Sequence, residues 1–191
     1  MKTSYITPEQ VKEIAAHLSE REWLSLWVSA ETGLRVGDVV SLRKMQITAA
    51  GIYFVAQKTR KCGIAPISDE LRKALKSSCA SSRWVFPSPR DPRKHITRQA
   101  VWYRVKRACE RAGIDPEGVA PHSFRKYFAV ETFKREGLRA TQSALQHDRT
   151  ITTEDYAMSD FITGENAEKP LLRRDLTLVV KLVAAALKNR S

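Results

Sequence analysis

A chain of 191 residues fits one domain, with or without an appended arm, and a hydrophobic content of 42% excludes wholesale disorder. Thirty-three Lys and Arg against 21 Asp and Glu leave a formal net charge of +12, which points to a polyanionic partner, most simply nucleic acid. Cys62, Cys79 and Cys109 contain no Cys-x-x-Cys pair, so neither a zinc knuckle nor a disulfide framework is expected, and reduced thiols in a cytosol fit better.

Thr7-Pro8-Glu9-Gln10 reads as an N-cap followed by proline at the first helical position, opening a helix to about residue 17. A second helix is expected over about 22–32, with Trp23, Leu26 and Trp27 inward. Gly33 breaks it, and a short helix restarts over about 36–42. Between residues 46 and 67 the period shortens. Ile47, the run Ile52-Tyr53-Phe54-Val55 and the run Ile64-Ala65-Pro66-Ile67 predict a three-stranded antiparallel meander. Ser68-Asp69-Glu70 opens another helix to about residue 76, and Trp84-Val85-Phe86 is a short apolar piece. Residues 87–94, with three prolines, form an extended basic loop.

Thr97 caps a helix ending at Gly113, with Val101, Val105, Ala108 and Ala112 inward and Arg104, Arg107 and Arg111 on a separate face. Pro121 starts a helix bearing His122 and Arg125, and shorter helices are expected over about 141–146 and 152–158. A terminal amphipathic helix follows on Leu172, Leu176, Val179, Val183 and Leu187. Its apolar stretch is too short to span a bilayer and carries Lys181, and the polar Met1-Lys2-Thr3-Ser4 start carries no secretory signal. The predicted class is α+β: mostly helical, with one small antiparallel sheet.

The chemistry lies in an ordered set of cations ahead of a tyrosine: Arg35, Lys58, His122, Arg125, His147 and then Tyr156, nine positions after His147. Attack of a hydroxyl on a phosphodiester needs preplaced donors where negative charge builds on the phosphate oxygens, and arginine supplies them in a bidentate, permanently charged form. Asp38, three residues after Arg35, is placed to hold that arginine, and the glycines at 33 and 37 allow close backbone approach to a ligand. His122 and Arg125, at i,i+3 near a helix start, share one face. Taken singly, each of these patterns also describes ordinary surface ion pairs or a helix cap.

Together the fragments resemble the tyrosine recombinase family, the phage-integrase and Xer-type strand-transfer enzymes. Thr32-Gly33-Leu34-Arg35 with Asp38, Ser41 and Leu42 resembles the family's first arginine box. His122-Ser123-Phe124-Arg125, followed by Phe128-Ala129, resembles its His-x-x-Arg box. Leu145-Gln146-His147 through Thr152-Thr153 to Tyr156 resembles its last box.

The resemblance implies the recombinase catalytic-domain fold over residues 1–160. It also implies a tail over 161–191 whose helix docks in cis or on a neighbouring subunit. Tyr156 would form a 3′-phosphotyrosine, Arg35 and Arg125 would clamp the nonbridging oxygens, and His122 and His147 would donate hydrogen bonds or manage the tyrosine proton. Lys58 would be the general acid for the 5′-oxygen, with Lys61 the runner-up. The phosphotyrosine conserves the bond energy, so neither metal nor other cofactor is required. Arg60, Lys61, Arg104, Arg107 and Arg111 are expected DNA contacts. The implied partners are double-stranded DNA and further copies of the chain, from dimer to tetramer, without a membrane, in a nucleoid-associated cytoplasmic setting.

Three residues depart from the pattern: Gln146 stands where glycine is usual before the histidine, Phe124 replaces a common leucine, and Lys126 replaces a frequent histidine. The family's N-terminal core-binding domain is expected to be missing, in either an excised domain or a natural short form. Two other functions stay open at this stage: a noncatalytic DNA-binding protein with a degenerate site, and a type IB topoisomerase-like activity.

Overall fold

The computed structural model describes residues 3–57, 60–78 and 82–145. In chain order these form α1 (Pro8–Ala16), α2 (Glu20–Thr32), α3 (Val36–Val40), a 3-10 turn (Lys44–Gln46), β1 (Ile52–Val55), β2 (Cys62–Ala65), α4 (Asp69–Ser77), α5 (Arg98–Arg111) and α6 (Pro121–Leu145). The helices expected over 152–158 and at the C-terminus lie outside the described residues.

Local chemistry sets the helix starts. Thr7 and Gln10 close a capping box ahead of α1, and Ser19 with Glu22 does the same for α2, each pair satisfying two otherwise orphaned N–H groups. The second box starts α2 at Glu20, two residues before the sequence expectation. Ser68 and Thr97 cap α4 and α5.

Helix α2 is the axle of the fold. Residues 23 to 32 are all buried, which happens when a helix is covered on every side. It packs against α3, α4, α5 and α6. Trp23, Leu26 and Trp27 fill the centre as expected, and Trp23 meets Phe124 of α6 edge to face, with centroids 6.2 Å apart. The buried Glu31 carboxylate accepts hydrogen bonds from the Ser68 backbone N–H and hydroxyl, fixing α4 to α2.

The sheet has two regular strands, antiparallel, with Ile52 opposite Ala65 and Val55 opposite Cys62. The expected third strand reduces to one isolated bridge between Ile47 and Ile52. The Thr48–Gly51 turn sets the two isoleucines directly opposite each other, and the preceding residues wind as a 3-10 turn instead of extending. A Gln46 side-chain amide bonds the Tyr53 carbonyl at 2.9 Å where a ladder bond would have been.

Helix α5 buries Val101, Val105, Ala108 and Cys109, while Ala112, expected inward, is the half-buried C-cap. Burial pushes the Cys109 thiol up to about 11, which makes it an inert core group. In α6, Gly137 is non-helical (φ 79, ψ −177), so the helix begun at Pro121 breaks there before a second segment reaches Leu145. The basic loop before α5 is tied down at Trp84, whose indole N–H donates to the Arg93 carbonyl at 2.8 Å.

Gly33 ends α2 in the left-handed conformation, φ 68. A Cβ there would lie 2.5 Å from Phe128 Cδ1 and 2.9 Å from Leu145 Cδ2. Gly33→Ala therefore combines backbone strain with overpacking and should destabilise the domain by roughly 2–4 kcal/mol in a denaturant titration. An unchanged midpoint would show that α6 does not press on this turn.

Candidate active site

Arg125 is 4% exposed and sits between the ends of two helices. One guanidinium nitrogen donates to the Gly33 carbonyl at the end of α2, and the other donates to the Leu145 carbonyl of α6, at 3.1 Å. The first arginine box, the His-x-x-Arg box and the segment leading into residues 146–156 thus meet on one planar group. A lysine has no rigid fork with which to do this.

Arg35 is the N-cap of α3, with φ −68 and ψ 144, and is half-buried. His122, the second residue of α6, is half-buried as well. Burial first, then the Arg125, Lys126 and Arg35 charges, push its pKa down to about 4. The histidine is therefore a neutral hydrogen-bonding group at neutral pH, able to donate from one ring nitrogen. Three cations around one neutral donor at a helix start form a site suited to an oxyanion. Lys126, where a histidine is frequent in the family, is itself buried at 7% exposure.

Asp38 does not hold Arg35. Among the described residues no ion pair joins them, because Arg35 is extended and does not share a helical face with Asp38. The buried Asp38 carboxylate instead accepts the Gln57 backbone N–H at 2.9 Å. The Gln57 side chain donates to the Gly37 carbonyl at 3.2 Å and the Ser41 hydroxyl at 2.9 Å. These three bonds fix the start of the β1–β2 turn to α3, at the residue just before Lys58. Gln57 went unnoticed in the sequence, where nothing marks a turn residue as an anchor to a helix 20 residues away.

Lys58, His147 and Tyr156 lie outside the described residues. Arg60 and Lys61 are exposed in the same turn, Arg60 in the left-handed region at φ 59. Arg107 and Arg111 are exposed on α5, but Arg104 pairs with Glu22 of α2 at 3.1 Å and so also ties α5 to the core.

Sequence reading also missed Trp102 and Tyr103, exposed by 39% and 55%. The signal was available: both aromatics fall off the apolar stripe of their helix. They line an open pocket of about 650 Å³ together with Val36, Arg98, Pro121 and His122. Gly37 lies close beside Arg98, whose Cδ would be 3.3 Å from a Cβ there. Among the described residues no group of three or more His, Cys, Asp or Glu side chains could hold a metal ion, and no helix is long and apolar enough to cross a membrane.

The fold is that of a recombinase catalytic domain. It superposes on the crystal structure of XerA recombinase with a TM-score of 0.69 at 22% identity, covering 88% of this chain and 66% of that one. A lambda integrase dimer bound to a COC' core site gives 0.73 at 20% identity, covering 90% and 52%. Residues 4–162 match the phage integrase family model. The chain is 31% identical to the tyrosine recombinase XerD of Haemophilus influenzae over 172 residues, 80% of this chain and 57% of the relative. It is 30% identical to XerA of Thermococcus kodakarensis over 176 residues, 86% of this chain and 60% of the relative. The chain belongs to the phage integrase family, and it spans about half to three fifths of the length of such relatives.

The depressed His122 pKa has a signed consequence. Between about pH 6.5 and 4 the unfolded state binds a proton that the folded state refuses, so this residue makes stability fall as pH falls through that window. His122→Gln should flatten that part of the stability–pH curve, and ring NMR signals of His122 should titrate below pH 5. Titration at an ordinary value near 6.5 would contradict the burial and the three-cation surroundings.

Proposed function

We propose that this chain is the catalytic part of a site-specific DNA recombinase that cuts and rejoins DNA through a 3′-phosphotyrosine. The observation that carries the reading is the Arg125 bridge. It places the arginine box and the His-x-x-Arg box together, at the start of the segment that leads to His147 and Tyr156.

In this reading the Tyr156 phenol oxygen attacks phosphorus, Arg35 and Arg125 take the growing charge on the nonbridging oxygens, and His122 donates to one of them. His147 manages the tyrosine proton, since a phenol of pKa about 10 needs cationic neighbours or a base near neutral pH. Lys58 gives its proton to the departing 5′-oxygen, and the new 5′-hydroxyl of an exchanged strand later reverses the step. Lys58, directly after the last residue of the first strand's anchored end, is preferred to Lys61, whose carbonyl accepts the Ala56 backbone N–H at 2.8 Å just before β2.

Arg60, Lys61, Arg107 and Arg111 contact DNA phosphates, and Arg104 contributes from beside Glu22. The partners are double-stranded DNA and further copies of the chain. The lambda integrase neighbours were crystallised as a DNA-bound dimer and as a tetramer on a Holliday junction. The catalytic unit spans residues 1–160, residues 161–191 form the tail, and the work is done on nucleoid DNA in the cytoplasm.

Nicked duplexes that release the leaving strand trap a phosphotyrosine enzyme. Incubation should give a covalent protein–DNA band that Tyr156→Phe abolishes completely. A band that survives the substitution, or none across a library of target sequences, overturns the reading.

A further inference from the structure

We propose that the hollow between α5 and the start of α6 is a stacking pocket for a single nucleobase that has left the duplex. It deepens the recombinase reading and rests on it for the position of the bound phosphate. The pocket has about 650 Å³ of space and is built from Trp102, Tyr103 and Arg98 on one side and Val36, Pro121 and His122 on the other. His122 belongs both to the pocket and to the phosphate site, so the hollow opens directly beside the clamped backbone.

Shape decides the occupant. Base edges of a duplex lie in the floor of a groove about 8.5 Å deep, and a projecting side chain reads them, not a concavity. A hollow beside a held phosphate is filled by a base that swings out on its own backbone. Its walls suit that group. Two large aromatic side chains are exposed here, unlike Trp23 and Trp27, which are buried in the core. Trp102 and Tyr103 meet edge to face with centroids 5.1 Å apart, and Lys106 Nζ sits 5.2 Å from the Trp102 centroid, a cation placed against a stacking ring. Arg98 adds a positive charge to meet the nucleotide's phosphate. Stacking on an aromatic ring is tolerant of sequence because every base has a π-face.

Strand exchange requires base pairs next to the cut to open, and a pocket that receives one opened base holds that state. The pocket thereby favours duplexes that are easily opened at this step.

The test uses three DNAs of one sequence: fully paired, with one extrahelical thymidine, and with that nucleotide abasic. Wild-type protein should bind the extrahelical thymidine about tenfold more tightly than the paired duplex, and the abasic form should lose that gain. Trp102→Ala, checked for folding by circular dichroism, should bind all three alike, and Trp102→Phe should keep the preference. Equal binding of thymidine and abasic bulges by the wild type overturns the proposal without needing any variant. A preference that survives Trp102→Ala overturns it as well. Covalent adduct formation at Tyr156 is read separately, so failure of the recombinase reading is not confused with failure of the pocket.

Discussion

The site depends on one buried guanidinium. Arg125 donates to the Gly33 carbonyl, left open where α2 ends, and to the Leu145 carbonyl of α6. Helix ends leave such acceptors unpaired, and burying them without partners is costly. One planar side chain closes both. Because Gly33 must be left-handed and without a Cβ for Phe128 and Leu145 to approach, the same contact explains the glycine, the arginine and the packing of α6 on α2. An arginine already ordered by the fold has little further conformational freedom to lose on meeting a ligand.

Around that point the chain divides its polar work. Asp38 and Gln57 bind the start of the sheet turn to α3. Arg104 and Glu22 bind α5 to α2. His122 is kept neutral by burial and by its cationic neighbours, which suits a hydrogen-bond donor toward a phosphate more than a fourth fixed charge. The net excess of Lys and Arg is thus partly structural.

Much of this was legible in the chain. Caps at Thr7, Ser68 and Thr97 marked helix starts because capping is local chemistry, and the tryptophans of α2 marked the core by periodicity. The boxes around Arg35 and His122 marked the family, whose model matches residues 4–162. What failed was in part non-local. The third strand failed because the residues before Ile47 wind as a 3-10 turn, so Ile47 pairs once, with Ile52. The role given to Asp38 failed because its partner, Gln57, arrives from another element. Ala112 was assigned inward by extending a stripe past the point where the helix ends. Trp102 and Tyr103 were passed over because periodicity separates buried faces from exposed ones but does not show which exposed face borders a site.

In the proposed reaction the arginines meet charge on a scissile phosphate. This is tested most directly by cleavage of DNA with a methyl group replacing one nonbridging oxygen at that phosphate, which removes its negative charge. Arg35, half-exposed and free of the interlocking duties of Arg125, is the residue to vary. Arg35→Ala should lower adduct formation on ordinary DNA by about a hundredfold or more, yet cost little on the neutral methylphosphonate. An equal loss on both DNAs would mean that Arg35 supports the fold and does not clamp the phosphate.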